Sequence, residues 1–224
     1  MLDLTPQEKF YKDGMVPIAI NSFKCHADLL SLLKQINSKI IKKNFRLESK
    51  KKYFVNGRPT AFDLMPNEPL PNDALYDDLY SDFLKQGLME EMEFISGRNL
   101  SLLSIRTRIV MKGSNSKGAT AAHRDGHFYG GKKKYVVPPP INLHFYPSFD
   151  DQPSDQFKYW TSTNRFQPDN RLIDRAITTF GKRQTVKSSN DYAYMVDTAG
   201  IHKACAPTDE RSSFRLMYSF IIKQ

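Results

Sequence analysis

The hydrophobic period of the chain changes between Gly97 and Leu100, and that change limits the folds open to it. Before it, apolar residues recur every three or four positions. Leu75, Leu79, Phe83, Leu84, Leu88, Met92 and Ile95 fit one helical stripe over 74–96, closed by Gly97. From Leu100 to Met111 apolar and polar residues alternate and β-branched residues are frequent, the pattern of a strand. Further extended segments follow at 119–123, 135–137, 141–146, 158–161, 183–187, 192–196, 201–204 and 213–222. Helices followed by a run of strands point to an α+β fold. About eight short antiparallel strands suit a double-sheet jelly roll, whose mouth can enclose a small-molecule site.

The front of the chain carries its own signals. Thr5, Pro6 and Glu8 form a capping box with proline at the first helical position, so a short helix is expected up to Asp13-Gly14. A strand over 15–20 follows. Asn21-Ser22 then opens a second helix, with Phe23, Leu29, Leu30, Leu32, Leu33, Ile36, Ile40 and Ile41 on its apolar stripe. Residues 48–73 hold Lys50-Lys51-Lys52, Gly57, Pro59, Pro66, Pro69 and Pro71 and read as a loop. Residues 170–180 read as a short helix or a loop. The whole, 1–224, is read as a single domain: a helical part over 1–99 packed on one sheet of a strand-rich core over 100–224.

Composition narrows the setting. With 40% hydrophobic residues the chain can bury a core. Its net charge of +9 is compatible with a nucleic acid, a membrane surface or an anionic small molecule, and does not choose among them. Cys25 and Cys205 are far apart and fit no metal or disulfide spacing, which favours a reducing compartment. The first residues have no apolar leader and no run of 18 apolar residues occurs, so a cytoplasmic protein without membrane insertion is expected.

The chemistry concentrates in Ala121-Ala122-His123-Arg124-Asp125-Gly126-His127. In an extended chain His123 and Asp125 point to the same side, and both ligate divalent metals. Thr198-Ala199-Gly200-Ile201-His202 supplies a second imidazole at the start of a late strand. Two histidines and one carboxylate leave open positions on the metal, the pattern of non-haem Fe(II) oxygenases. An Fe(II) centre using a 2-oxo acid also needs a cation for the distal carboxylate, and arginine provides a two-pronged donor. Arg211 and Ser213 are the first choice for that clamp, and Arg215 takes either that role or the substrate. Arg211, Ser213, Arg215, Met217 and Ser219 share one strand face, an arrangement that makes sense if it lines a pocket for anions. Arg106 and Arg108 repeat the theme on an earlier strand. They face water, or with Tyr135 or His144 they line the same pocket. His144 is read as core or pocket wall, and His127 as lying beside the metal ligands or in the loop beyond them.

The assembled pattern resembles the Fe(II)/2-oxoglutarate-dependent dioxygenases, and among them the phytanoyl-CoA dioxygenase-like branch. Two parts carry the resemblance: the helix–Asp-Gly–strand opening Gln7 to Ile18, and His123-Arg124-Asp125 with Gly200-Ile201-His202 and Arg211-Ser212-Ser213. It implies a double-stranded β-helix core of the jelly-roll, cupin-like kind. It also implies Fe(II) on His123, Asp125 and His202, 2-oxoglutarate reaching Arg211, and O2 as co-substrate. The carboxylate at Asp125 implies hydroxylation rather than halogenation. Pro138-Pro139-Pro140 interrupts what should be an early core strand, which then sits at an edge or starts at Ile141.

The loops 126–134 and 147–170 are expected to border the mouth. They carry Lys132, Lys133, Lys134, Lys158 and Arg165 with Tyr129, Phe157, Tyr159 and Trp160. That mixture suits a small anionic metabolite as substrate. It also suits a nucleic acid held by stacking and phosphate contacts, as in nucleic-acid-acting relatives. A jelly-roll binding module without catalysis is the third alternative.

Overall fold

The computed structural model describes residues 4–20, 31, 51–55, 58–64, 74–110, 121–125, 139–148, 155–168, 170–205 and 213–223. The helix expected over 21–41 (Ser31 apart), the strand at 135–137, His127, Tyr129, Tyr135, Lys132–Lys134 and Arg211 lie outside them. Ser213 is described only in its backbone.

Helix α1 (Pro6–Asp13) has the expected capping box, with Thr5 and Glu8 satisfying each other's backbone N–H, and ends on Gly14 in the left-handed region at φ +80°. The other helices among the described residues are α2 (Ala74–Lys85), α3 (Leu88–Ser96) and α4 (Arg171–Phe180). The single helix expected over 74–96 is two. Gly87, at φ +68°, breaks it, and the apolar stripe simply continues across the turn. Residues 170–180 are helical, opened by the Asn170 side chain accepting from the Leu172 N–H.

Among the described residues ten strands form two antiparallel sheets. They are β1 (Met15–Ala19), β2 (Lys51–Val55), β3 (Arg58–Leu64), β4 (Leu100–Val110), β5 (Ile141–Phe145), β6 (Asp155–Trp160), β7 (Arg183–Lys187), β8 (Tyr192–Asp197), β9 (His202–Ala204) and β10 (Ser213–Ile222). Seven strands run in the order β1-β8-β5-β10-β4-β3-β2 and three in the order β7-β6-β9. Two sheets of antiparallel strands with helices on one of them agree with an α+β, jelly-roll-like core.

Two expectations for the front half need correction. Residues 51–55 and 58–64 are not loop. They form the antiparallel strands β2 and β3, with β3 joined to β4 at the end of the large sheet. The segment before residue 100 is therefore not only helical, since β1, β2 and β3 all belong to that sheet. The strand expected at 119–123 is, over its described part, a single bridge from His123 to His202. β5 does start at Ile141, directly after the prolines.

The two faces of the large sheet meet different neighbours. Leu216, Tyr218 and Phe220 of β10, with Leu143, Phe145 and Met195, face the helices and are almost wholly buried. The Phe83 ring stacks 4.9 Å from Tyr218 and 5.5 Å from Phe220, and the Tyr218 hydroxyl donates to the Leu79 carbonyl at 3.2 Å. The opposite face meets the small sheet through Met15, Tyr146, Phe157, Tyr159, Val186 and Val196. Burying a side chain such as Phe83 or Phe220 contributes about 1.5–3 kcal/mol relative to leaving it exposed. The space between the sheets is where polar residues collect.

Candidate metal centre and the arginine face behind it

His123 and His202 each donate a backbone N–H to the other's carbonyl, at 3.0 and 2.9 Å. This bridge brings the ring centroids to 4.5 Å. Asp125, two residues on, is anchored by its N–H to the Thr198 carbonyl at 3.0 Å, so its carboxylate falls beside both rings. Asp125 Oδ1 lies 3.6 Å from His123 Nε2 and 3.9 Å from His202 Nε2. The potential ligand atoms of the three residues all lie within 4.8 Å of one another.

Each imidazole is oriented by its own chain. His123 Nδ1 lies 2.7 Å from the Ala121 carbonyl and His202 Nδ1 2.9 Å from the Gly200 carbonyl. A carbonyl only accepts, so each Nδ1 carries a hydrogen, which leaves Nε2 as the ring atom that could take a metal. Backbone-held rings with free Nε2 atoms are how metal-binding histidines are usually fixed. Burial pushes the His202 pKa down to about 4, helped by the neighbouring His123 and opposed by Asp125. For Asp125, burial pushes upward, but His202, His123, Arg108 and the Thr198 hydroxyl together hold its carboxyl below the ordinary range. The group thus offers a buried imidazole that resists protonation, a second imidazole and a readily ionised carboxylate. This mixed N,N,O donor set fits a divalent transition metal such as Fe(II). The His123 and Asp125 side chains are 36% and 37% exposed, whereas His202 is 7% exposed, so the group opens on one side only.

The turn before His202 is built around one glycine. A Cβ on Gly200 would stand 1.9 Å from the Tyr159 hydroxyl and 2.4 Å from its ring carbon Cζ. Tyr159 is fully buried and its hydroxyl donates to the Asp197 carbonyl at 2.9 Å. Only glycine lets the chain pass so close to that ring.

Behind the histidines the large sheet presents its polar face. Arg215 pairs in register with Arg108, and Met217 with Arg106 and His144. Arg215 and Arg108 are buried, at 6% and 9% exposure. The Arg215 guanidinium lies 5.9 Å from the Phe157 ring centre and donates to the Tyr146 hydroxyl at 3.4 Å. Its Nε has no hydrogen-bond partner among the described residues. Arg106 Nη2 donates to Ser219 Oγ at 3.1 Å. The alternation of β4 is thus resolved: Ile105 faces the helices, and the two arginines face the space between the sheets.

His144 is completely buried, and its Nδ1 sits 3.1 Å from the Tyr146 hydroxyl. Burial, with Arg215, His202 and Arg108 nearby, holds its pKa well below the usual histidine value. The Phe157 ring stands between these groups and the metal group, 5.2 Å from His144 and 5.6 Å from His202. Burial and Arg215 act in opposite senses on Tyr146, and burial wins, raising its pKa to about 12. Tyr146 was not singled out from the sequence, although alternation places it on the face of His144.

A cleft of about 480 Å³ opens beside His123, lined by Ala122, Arg171, Leu172, Arg175, Thr178 and Ile201. Helix α4 is its far wall, and no sequence signal marked that helix as part of the site. One expectation about the mouth is overturned. Phe157, Tyr159 and Trp160 are buried on β6, because that strand is covered on both faces, and cannot offer rings to an external ligand.

No family model matches the chain. No curated protein matches it. Several solved structures share its fold. AviO1 from Streptomyces viridochromogenes Tue57 aligns over 96% of this chain and 93% of its own, with 14% identity and a TM-score of 0.63. The epimerase SnoN, solved with Fe3+, α-ketoglutarate and nogalamycin RO, aligns over 96% and 81% with 11% identity and a TM-score of 0.65. HygX from Streptomyces hygroscopicus, solved with nickel, 2-oxoglutarate and hygromycin B, aligns over 95% and 84% with 14% identity and a TM-score of 0.55. At these identities the likeness establishes the fold, one shared with enzymes whose structures hold a metal ion together with 2-oxoglutarate.

Proposed function

We propose that the chain is a single-domain Fe(II)- and 2-oxoglutarate-dependent oxygenase that hydroxylates an unactivated C–H bond of a small anionic metabolite, with release of succinate and CO2. The branch of the superfamily we assign is the phytanoyl-CoA dioxygenase-like one. The observation that carries the reading is the convergence of His123 Nε2, His202 Nε2 and the Asp125 carboxylate, with both rings locked by backbone carbonyls. Bound there, Fe(II) with 2-oxoglutarate and O2 would supply the oxidising chemistry.

The protein's own part is positioning and charge. His123, Asp125 and His202 hold the ion from one side and leave the other to ligands. The inter-sheet arginines supply positive charge where a dicarboxylate needs it. Arg215 is a suitable partner for the distal carboxylate of 2-oxoglutarate, since it is buried and has an unused N–H. Arg211 with Ser213 is the other clamp, and separate Arg211→Gln and Arg215→Gln variants distinguish them. Arg106, Arg108 and His144 lie on the same face and serve the anionic substrate, a role we also assign to His127 and Tyr135 outside the described residues. The buried β6 aromatics remove three of the rings that a nucleic-acid reading relied on, which favours the small molecule. Cys205 is buried, free and pushed up by that burial, in keeping with a cytoplasmic protein. No helix among the described residues is long and apolar enough to cross a membrane.

The test is succinate release from 2-oxoglutarate, screened over organic acids, phosphate esters and acyl thioesters with Fe(II) and ascorbate present. One class should stimulate release, and Asp125→Ala should abolish it. Undiminished release by the Asp125→Ala protein would sink the assignment.

A further inference from the structure

Arg124 stands between two of the ligands, and strand alternation turns it the opposite way from both. Its side chain is 1% exposed. Nε and Nη2 donate to the two carboxylate oxygens of Asp174, each at 2.9 Å, in a two-pronged pair. Nη1 donates to the Ala199 carbonyl at 2.8 Å and to the Thr163 carbonyl. Four of the roughly five N–H groups of a guanidinium are thus in use.

The four contacts tie together the pieces of backbone that bear the metal group. Ala199 lies in the turn that leads into His202. Thr163 lies in the turn after β6, and its hydroxyl accepts from the Ile201 N–H at 2.8 Å. Asp174 is the buried acid of α4, the wall of the cleft beside His123. A burial this complete is tolerated because the charge is fully paired. Nothing in the arrangement brings Arg124 to the metal side.

We propose that Arg124, held by Asp174, is a positioning residue of the metal centre. It fixes the 123–125 segment against the 198–202 turn, so that three donors on two separate pieces of chain keep one geometry, and it couples the cleft helix to the same point. The inference rests on the metal reading of His123, Asp125 and His202. Lysine in place of Arg124 keeps the charge but not the planar fork, so it cannot make the paired contacts.

Co(II) replaces Fe(II) as a spectroscopic probe in an anaerobic titration of the full chain. The wild-type protein should bind one Co(II) with a visible d–d band that His202→Ala removes. Arg124→Lys and the milder Asp174→Asn should each weaken Co(II) binding by roughly 10- to 100-fold and shift the band, the usual effect of losing an outer partner of a metal site. Phe83→Leu, in the helix-facing core, is the control: it should lower the melting temperature and leave the Co(II) affinity and band unchanged. Unchanged affinity and band in a folded Asp174→Asn protein, with wild type binding normally, would overturn the positioning role and leave the metal reading standing. Equal Co(II) binding by wild type and His202→Ala would overturn both.

Discussion

His123 and His202 exchange both backbone hydrogen bonds across one antiparallel bridge, so the two imidazoles are set by the same pairing that joins their segments. The bridge is isolated, with no longer ladder around it among the described residues. Its precision depends on what packs against it, and the first such contact is Gly200 on Tyr159.

Gly200→Ala should lower stability by about 1–3 kcal/mol, the usual cost of overpacking a filled interior. The new Cβ would overlap the Tyr159 hydroxyl and ring. Chemical denaturation measures the loss. Tyr159→Leu is destabilising alone, but the double variant should lose less than the sum, because the two residues share one contact. Additive losses would show that Gly200 is not held by that ring.

Arg215→Met should separate stability from ligand binding. A buried guanidinium with an unused Nε–H is costly in the ligand-free protein, and an apolar replacement of similar length removes that cost. The melting temperature of the ligand-free variant should stay level or rise. Its affinity for 2-oxoglutarate should fall by roughly 30-fold or more, the loss expected when one partner of a buried charge pair is removed. Calorimetric titration in the presence of Co(II) reads the second quantity. If affinity is unchanged in Arg215→Met and lost in Arg211→Met, the clamp is Arg211.

The metal-free protein should lose stability as the pH falls from about 6.5 toward 4. The folded pKa of His202 is depressed to about 4 by burial and His123, against an ordinary value of 6.5, so the unfolded chain binds the proton first. His144 is depressed in the same direction by burial. The stabilisation is complete above the unfolded value and declines through this window. Urea midpoints at pH 7.5, 6 and 5 test it, and His144→Leu should flatten the decline. A midpoint independent of pH over that range would contradict the buried neutral histidines.

Much of the local structure was legible because it rests on local chemistry. The Thr5–Glu8 box, the Gly14 and Gly97 stops and strands β7 and β10 follow from residue type and period alone. The meeting of His123 and Asp125 was legible for the same reason, since alternation puts both on one side. The β2–β3 pairing was not, because Lys51, Lys52 and Pro59 are residue types that also mark loops. The β6 aromatics were misplaced at a rim because the burial of Phe157 and Tyr159 depends on packing against Met15 and Val196, which are far from β6 in sequence. Arg124 and Asp174 are 50 residues apart, and no period or spacing links them.

The most direct test of the central claim is an anaerobic titration of the purified chain with Fe(II) and then 2-oxoglutarate, followed by visible absorption. A weak band should appear only when both are present, saturate at one equivalent of iron, and be absent from His123→Ala, Asp125→Ala and His202→Ala proteins. No band in the wild-type protein, or the same band in the three variants, would contradict the account.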